Sequence, residues 1–518
     1  MDSLAHALRA CARTYPDHPA ILDSSGVVDY TELDRKSDEL AAALASLGVV
    51  KGDRVALYCS NCDSFAIAYA GIIKAGAVVV PVNLLLTPGE IAYILNDCDA
   101  KGILLHAAFA EPFEAFSGDV ASLSFAIAIG ADLPGMLSWE SLLQGSGAPP
   151  EIRYDAREDL AVIIYTSGTT GRPKGAMLTH GNLLANVNSV RLAMQWRPGA
   201  DIVLVVLPMF HAFAATVGML TPLLSGCAIV PLPRFEPEQV AQTIHRFGVS
   251  VFLGVPSMYS VLLRLKADRI PLLASLRACV SGGAAMPVEV MRRFEAHFGK
   301  RIFEGDGPTE CSPVTCVNPF DGPTKPGTVG LPVPNVEMRI VGEEGVEPLP
   351  PGEAGEIAVR GPNVMKGYWK QPEATREVFR DGWFLTGDIG TRDEDGYFSI
   401  VDRKKDLIIV NGMNVYPRVV EEVIHRFPGV REVAVVGELH ELHGEIPIAF
   451  VVMEADAAGR EGEIRAWCRQ HLGRHQVPRR VMALPELPRN AAGKILKRQL
   501  RLHGEVERGV RDLPGNAE

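Results

Sequence analysis

The sequence predicts an α/β protein of two domains, a large one built on layered sheets and a small α+β one, and three observations carry that prediction. Its 518 residues exceed the roughly 100–200 residues of an ordinary single domain. Through the first part of the chain, apolar strand-like runs alternate with helical patterns, the mark of largely parallel sheets covered by helices. From about Leu331 the alternation stops, Gly and Pro become dense, and short β-like runs take over.

Taken in order, Thr31-Glu32-Leu33-Asp34 reads as a helix entry, with Leu33, Leu40, Leu44 and Leu47 on one helical face until Gly48 ends it. Residues 54–58, 76–82, 102–106 and 160–165 form apolar runs that read as strands. Beyond Leu331, Pro348-Leu349-Pro350-Pro351-Gly352 is loop, residues 355–360 and 397–402 read as strands, and Asp395-Gly396 is a hairpin-turn signal. A small α+β unit follows from about Lys404, which places the domains at 1–404 and 405–518.

Composition narrows the function classes. A hydrophobic fraction of 47%, a charged fraction of 22% and a mean hydropathy of +0.11 describe a globular chain. A formal charge of −11 and a pI near 5.7 argue against nucleic acid as the main partner, because phosphate binding leaves a basic surplus. Met1-Asp2-Ser3 opens without a cationic leader, and no run of about 18 apolar residues suggests a membrane span, so a cytoplasmic location is expected. The nine cysteines are scattered and odd in number, and Cys59/Cys62 is a C-x2-C without a second pair. Free thiols in or near a core are expected rather than a disulfide framework or zinc site.

The first chemical motif is the loop Tyr165-Thr166-Ser167-Gly168-Thr169-Thr170-Gly171-Arg172-Pro173-Lys174-Gly175, directly after an apolar run. Its glycines let backbone N–H groups converge on anionic oxygens, its hydroxyls add donors, and Lys174 adds a point charge, so its make-up suits phosphate. It is not a Walker A loop, because Gly175 and not Ser or Thr follows the lysine. An ordinary surface turn seldom combines so long a Ser/Thr/Gly run with Pro-Lys-Gly.

This loop resembles the signature of the adenylate-forming superfamily, which includes acyl-CoA synthetases, luciferases and the adenylation domains of peptide synthetases. Further segments occur in the order that family has: Ser281-Gly282-Gly283-Ala284-Ala285-Met286-Pro287, Thr309-Glu310, Thr386-Gly387-Asp388, Asp402-Arg403-Lys404-Lys405-Asp406 and Pro488-Arg489-Asn490-Ala491-Ala492-Gly493-Lys494. The resemblance covers nearly the whole chain. It implies a distorted β-barrel subdomain in the large domain, a mobile small domain, and ATP, Mg²⁺ and coenzyme A as the molecules used with a carboxylic acid.

The resemblance also implies residue roles. A carboxylate is a poor electrophile and must become a mixed anhydride before a thiol displaces the leaving group. Attack on the α-phosphate builds negative charge that cations and donors must meet. Glu310 is thereby assigned to Mg²⁺, Thr309 to the phosphate region, Asp388 to the ribose hydroxyls with Arg403 beside it, and Lys494 to the attacking carboxylate and α-phosphate. Each also has a plainer reading: a solvated acid for Glu310, a turn residue for Asp388, and a helix-start cation for Lys494. Lys405 matches the hinge about which the small domain turns, although an exposed charged hairpin looks the same. Gly412, in Asn411-Gly412-Met413-Asn414, resembles the loop lining the pantetheine tunnel.

One position departs from the family. An aromatic residue that stacks on adenine is expected four places before Glu310, and this chain has Asp306. Adenine contacts are therefore expected from backbone around Gly282, Gly283 and Ala284, and GTP becomes worth testing. Gly307 stands where acetate-specific relatives carry a tryptophan that shortens the acyl pocket, so a deeper pocket is expected. His211, in Leu207-Pro208-Met209-Phe210-His211-Ala212-Phe213, occupies the place of an aspartate common in amino-acid-activating domains, which disfavours amino acids; it reads equally as a substrate gate or a core histidine. The leading reading is a medium- to long-chain fatty acyl-CoA synthetase, the rival an aryl-acid ligase, and the remote one a nucleotide-binding scaffold. Only a short tail follows Lys494, so the chain is expected to act on free CoA; a homodimer is left open.

Overall fold

The structure is a computed structural model that describes residues 2–24, 26–145, 147–166, 172–440, 442–454, 457, 459–489, 493 and 495–501. Among them, four sheets form. The first has eight strands, whose parallel middle is Leu160–Thr166, Val78–Pro81, Arg54–Tyr58, Ala100–His106 and Phe125–Ile129. The second has nine, with Ile302–Asp306, Ala278–Ser281, Val251–Gly254, Ile202–Val205 and Ala228–Pro231 running parallel side by side. Val78–Pro81, Val251–Gly254 and Ala278–Ser281 are buried at every position, which is why they read as continuous apolar runs rather than alternating ones.

Helices fill the space around and between these sheets. The helix Tyr30–Ser46 buries Leu33, Leu40 and Leu44 as its spacing predicts, each worth about 1.5–3 kcal/mol when fully removed from water. Its entry lies two residues earlier than the sequence suggested. Asp29, not Thr31, is the N-cap, its carboxylate accepting from the Glu32 amide at 2.7 Å. One apolar core joins residues of both large sheets with this helix, Asp63–Lys74 and His180–Ala193.

After the nine-stranded sheet, Glu337–Val341, Gly355–Arg360, Phe379–Arg380, Trp383–Arg392 and Phe398–Arg403 form an antiparallel half-barrel sheet, the expected barrel subdomain. Gly396, with φ +87, turns the chain between its last two strands. A one-turn 3-10 helix, Lys404–Asp406, leads to the fourth sheet. There the long hairpin Val430–His440/Gly444–Met453 pairs with Ile408–Val410 and Arg480–Ala483, covered by the helices Pro417–His425 and Glu461–His471.

Candidate active site

The strands Leu160–Thr166 and Lys174–Thr179 pair antiparallel, with Thr166 opposite Lys174. The two residues therefore flank the mouth of the hydroxyl-rich loop, whose residues Ser167, Gly168, Thr169, Thr170 and Gly171 lie outside those described. The next strand, Gly367–Tyr368, pairs with Lys174–Thr179 and brings the Tyr368 ring 5.3 Å from the Lys174 ammonium. The Tyr368 hydroxyl donates to Glu310 Oε1 at 2.9 Å. Burial, reinforced by the Glu310 charge, holds this phenol far above its ordinary pKa, so it stays a neutral donor. Glu310 itself sits on a single 3-10 turn, Thr309–Cys311, anchored where its carbonyl accepts from the Met365 amide at 2.7 Å.

Asp388 and Arg403 face each other across adjacent antiparallel strands, with Nε 3.1 Å from the Asp388 carboxylate. Asp388 is buried, whereas the Arg403 side chain is 42% exposed. Arg403 is held charged first by Asp388 and then by Asp306, Asp406 and Glu310, so the predicted acidic groups converge electrostatically on one guanidinium. The Thr386-Gly387-Asp388 turn is braced from behind. Thr386 donates to the Ile357 carbonyl and accepts from the Asp388 amide, while Glu356 accepts from the Gly387 amide and pairs with Lys404 at 3.0 Å.

Asp388 and Arg403 open onto a cavity at the carboxyl ends of the parallel strands, the place where open α/β sheets bind ligands, whereas Glu310, Lys174 and Tyr368 are not among the residues that line it. Asp306, Gly307, Thr309, Gly282, Gly283, Asp388 and Arg403 line its polar end. From there it continues between apolar walls: Leu207, His211 and Phe213 on one side, Val314 and Val317 on another, and Val190 and Met194 from the helix His180–Ala193 and its cap. His211 is thus a wall residue. Gly307 has a second reason to be glycine, since a Cβ there would lie 1.7 Å from the Pro313 carbonyl oxygen. Close backbone approach, as well as pocket depth, excludes a tryptophan. Phe303 does not replace the missing adenine-stacking ring: it is buried and stacks on Phe320 with centroids 3.9 Å apart.

Other predicted residues lie apart. Ala284 is exposed beyond the cavity wall. Lys405 is exposed on the 3-10 turn. Gly412 sits at an exposed hairpin tip, where Asn411 (φ +51) and Gly412 (φ +78) make the two-residue turn that Asn-Gly favours. Lys494 lies outside the described residues. Its neighbour Gly493 meets the large domain, since a Cβ on it would stand 2.9 Å from Val255, itself a wall residue of the cavity.

Sequence reasoning missed Tyr368, Glu356 and the distal wall residues Val190 and Met194. The last two carry the same apolar periodicity as core and give no signal of their own. Tyr368, within Lys366-Gly367-Tyr368-Trp369-Lys370, could have been noticed as an aromatic pair between lysines. The strand Ile302–Asp306 also holds a buried acid, Glu304, pushed up to about 7 by burial. One of its oxygens accepts from the Met286 amide at 2.9 Å, and among the described residues nothing reaches the other.

A cavity lined by acidic, hydroxyl and guanidinium groups together with apolar walls suits a substrate that has one charged and one apolar part. Residues 8–369 match the AMP-binding enzyme family and residues 419–494 match the AMP-binding enzyme C-terminal domain. The chain is 38% identical to a long-chain-fatty-acid–CoA ligase of Salmonella typhimurium, over 96% of this chain and 94% of the relative. It is also 38% identical to a feruloyl-CoA synthase of an Amycolatopsis species, over 95% and 96%. Among solved structures, ATP-bound MatB from Rhodopseudomonas palustris superposes with a TM-score of 0.89 at 33% identity, covering 97% of this chain and 99% of that one. The protein belongs to the AMP-binding enzyme family. It is an AMP-forming acid–thiol ligase that uses ATP and CoA in two steps. No helix among the described residues is long and apolar enough to cross a membrane.

Proposed function

We propose that the acid is a medium- to long-chain fatty acid, and the observation that carries this reading is the apolar wall that the cavity has beside its polar residues. Its polar end lies at the carboxyl ends of the parallel strands, at Gly282 and Asp306. Its apolar wall includes Met194, whose carbonyl lies 3.5 Å from Arg277 Nη2. Arg277 immediately precedes the strand Ala278–Ser281 and is paired with Asp201, which immediately precedes Ile202–Val205. The lining therefore includes residues at the carboxyl ends of these four-residue strands and one, Met194, whose backbone lies near their amino ends. Similarity to the long-chain ligases supports the same reading, whereas equal similarity to the feruloyl-CoA synthase supports an aryl acid as the second one.

In the first step, the acid carboxylate attacks the α-phosphate of ATP and pyrophosphate leaves. Lys494 neutralises the charge that develops between them, Thr166 and Lys174 hold the phosphates with the loop between them, and Asp388 accepts from the ribose hydroxyls. The Gly493–Val255 contact supports action of Lys494 in this cavity. Glu310 fits Mg²⁺, because a hard cation that shares phosphate oxygens needs only one or two carboxylates from the protein. When bound, that ion neutralises phosphate charge. In the second step the small domain, divided from the large one near Lys405, turns to bring the Gly412 hairpin toward the cavity, and the CoA thiol displaces AMP. The test is pyrophosphate release with ATP across acetate, hexanoate, decanoate, palmitate and benzoate, with and without CoA. A rate that rises from acetate to the longer chains is expected; benzoate above decanoate would replace this reading with the aryl one.

A further inference from the structure

Two thiols flank a side chain that is hydrogen-bonded to one wall segment of the cavity, and they have no part in its chemistry. Cys59 follows the strand Arg54–Tyr58, and Cys62 is the N-cap of the twelve-residue helix Asp63–Lys74. Their sulfurs are 3.6 Å apart. Cys59 is fully buried, and Cys62 is partly exposed. Burial or a neighbouring group holds the other eight thiols above their ordinary pKa. Cys62 is the exception: the Cys59 thiol stabilises its thiolate, and the Phe65 and Ser64 amides at the helix start add to that. A partly exposed acidic thiol with a second thiol behind it is the arrangement that lets one cysteine react and the other resolve the product.

One of the two residues between them, Asn61, gives the pair a consequence. Asn61 is buried, and its amide nitrogen lies 3.0, 2.9 and 3.0 Å from the Val205, Leu207 and Leu232 carbonyls, while its oxygen accepts from the Met209 amide at 2.8 Å. Leu207, Pro208 and His211 are channel wall. One short loop therefore carries both sulfurs and the side chain that fixes the start of that wall.

We propose that Cys59 and Cys62 form a dithiol that hydroperoxides oxidise to a disulfide, and that closing it shifts Asn61 and deforms the Leu207–His211 wall of the acyl channel. The Cys62 thiolate attacks one peroxide oxygen and the O–O bond breaks. The other oxygen leaves with a proton as alcohol, or as water when the oxidant is hydrogen peroxide, and Cys62 becomes a sulfenic acid. The Cys59 sulfur then attacks the Cys62 sulfur; the S–S bond forms, the S–O bond breaks, and hydroxide leaves with the Cys59 proton as water. Two thiols and one hydroperoxide give one disulfide, one alcohol and one water.

The experiment treats the full chain with hydrogen peroxide and follows intact mass, peptide mapping and acid-dependent AMP formation, using whichever acid is fastest in the panel above. The expected result is a loss of 2 Da mapped to the 59–62 peptide, with a fall in kcat/KM for the acid of several-fold or more. KM for ATP stays unchanged, and a phosphine reductant restores the starting values. Cys62→Ser, which places a good N-cap at that position, folds, keeps the reduced enzyme's activity and resists the inhibition. Cys59→Ala instead carries oxidised Cys62 on to a sulfinate, because no resolving thiol remains. Oxidation of Cys62 to a sulfinate in the unaltered chain, or a 59–62 disulfide that leaves the acid kinetics untouched, would overturn the proposal.

Discussion

The two ends of the cavity are made of different kinds of residue. At the polar end, Asp388 and Arg403 face each other across a strand pair and line the cavity with Asp306 and Thr309, and Glu310 nearby in sequence holds a tyrosine hydroxyl. At the acyl end, Val190, Met194, Val314 and Val317 present only aliphatic or thioether surface. The first end fixes what is done, because charge that develops in a reaction must be met by groups in set places. The second fixes what is accepted, by shape alone, and shape tolerates many side chains of similar volume.

The comparison breaks if substitutions at one end move the parameters of the other. Lys494→Ala carries the largest expected effect: acyl-adenylate formation in a single turnover falls by at least ~100-fold, while thioester formation from supplied acyl-adenylate and CoA stays within a few-fold. If both half-reactions fall equally, the lysine does not belong to the first step.

Second come the buried acid and base behind the two ends. His180 begins the helix that forms the acyl wall and is pushed down to about 4 by burial; its Nδ1 accepts from the Leu4 amide at 3.3 Å. Its ordinary pKa is 6.5, so the unfolded chain takes up the proton first, and stability is lost as pH falls from 6.5 toward 4, by roughly 3 kcal/mol. Glu304, behind the nucleotide end, moves the other way. Its folded pKa, about 7, lies above the ordinary 4.5, so its contribution is complete below 4.5 and is lost as pH rises through 7, again by roughly 3 kcal/mol. The two slopes oppose between 4.5 and 6.5, where denaturant unfolding of the unaltered chain should change little from these groups. His180→Asn should leave stability falling as pH rises, and Glu304→Gln should leave it falling as pH drops; identical slopes in both variants would refute the assignment.

Asp388→Asn removes a charged acceptor from the ribose site, and KM for ATP should rise by about 10- to 100-fold without a change in acid preference. Met194→Trp should do the reverse. Palmitate loses ~10-fold in kcat/KM, hexanoate is spared, and the ATP parameters hold. A chain-length profile unmoved by Met194→Trp would show that the channel ends nearer the nucleotide.

The same division explains how much the sequence could tell. Residues 54–58 and 160–165 were legible as strands because burial on both faces writes a continuous apolar run, and Glu310, Asp388 and Arg403 were legible because their chemistry fixes residue type and order. Met194 and Val190 were not, because a channel wall and a core obey the same apolar rule and differ only in whether the facing space is filled. Tyr368 and Glu356 act by bracing Glu310 and the Gly387 amide, contacts made across 58 and 31 residues of chain, which no local pattern records. The Thr31 entry was off by two residues because Asp29, Thr31 and Asp34 are all competent caps, and strand pairing before the helix decides among them.

Arg403 is the last residue of the strand Phe398–Arg403, and the Lys404 ammonium is tied to Glu356 in the half-barrel sheet. In the proposed mechanism, a turn of the small domain about Lys405 therefore leaves Asp388, Arg403 and Lys404 on the stationary side, with Asp388 still placed for the sugar. The energy-rich anhydride is then not handed from one domain to another between the two half-reactions; it stays moored while the catalytic roof is exchanged above it. Such mooring implies a committed intermediate, one that leaks little free acyl-adenylate to the surrounding water even when CoA is scarce.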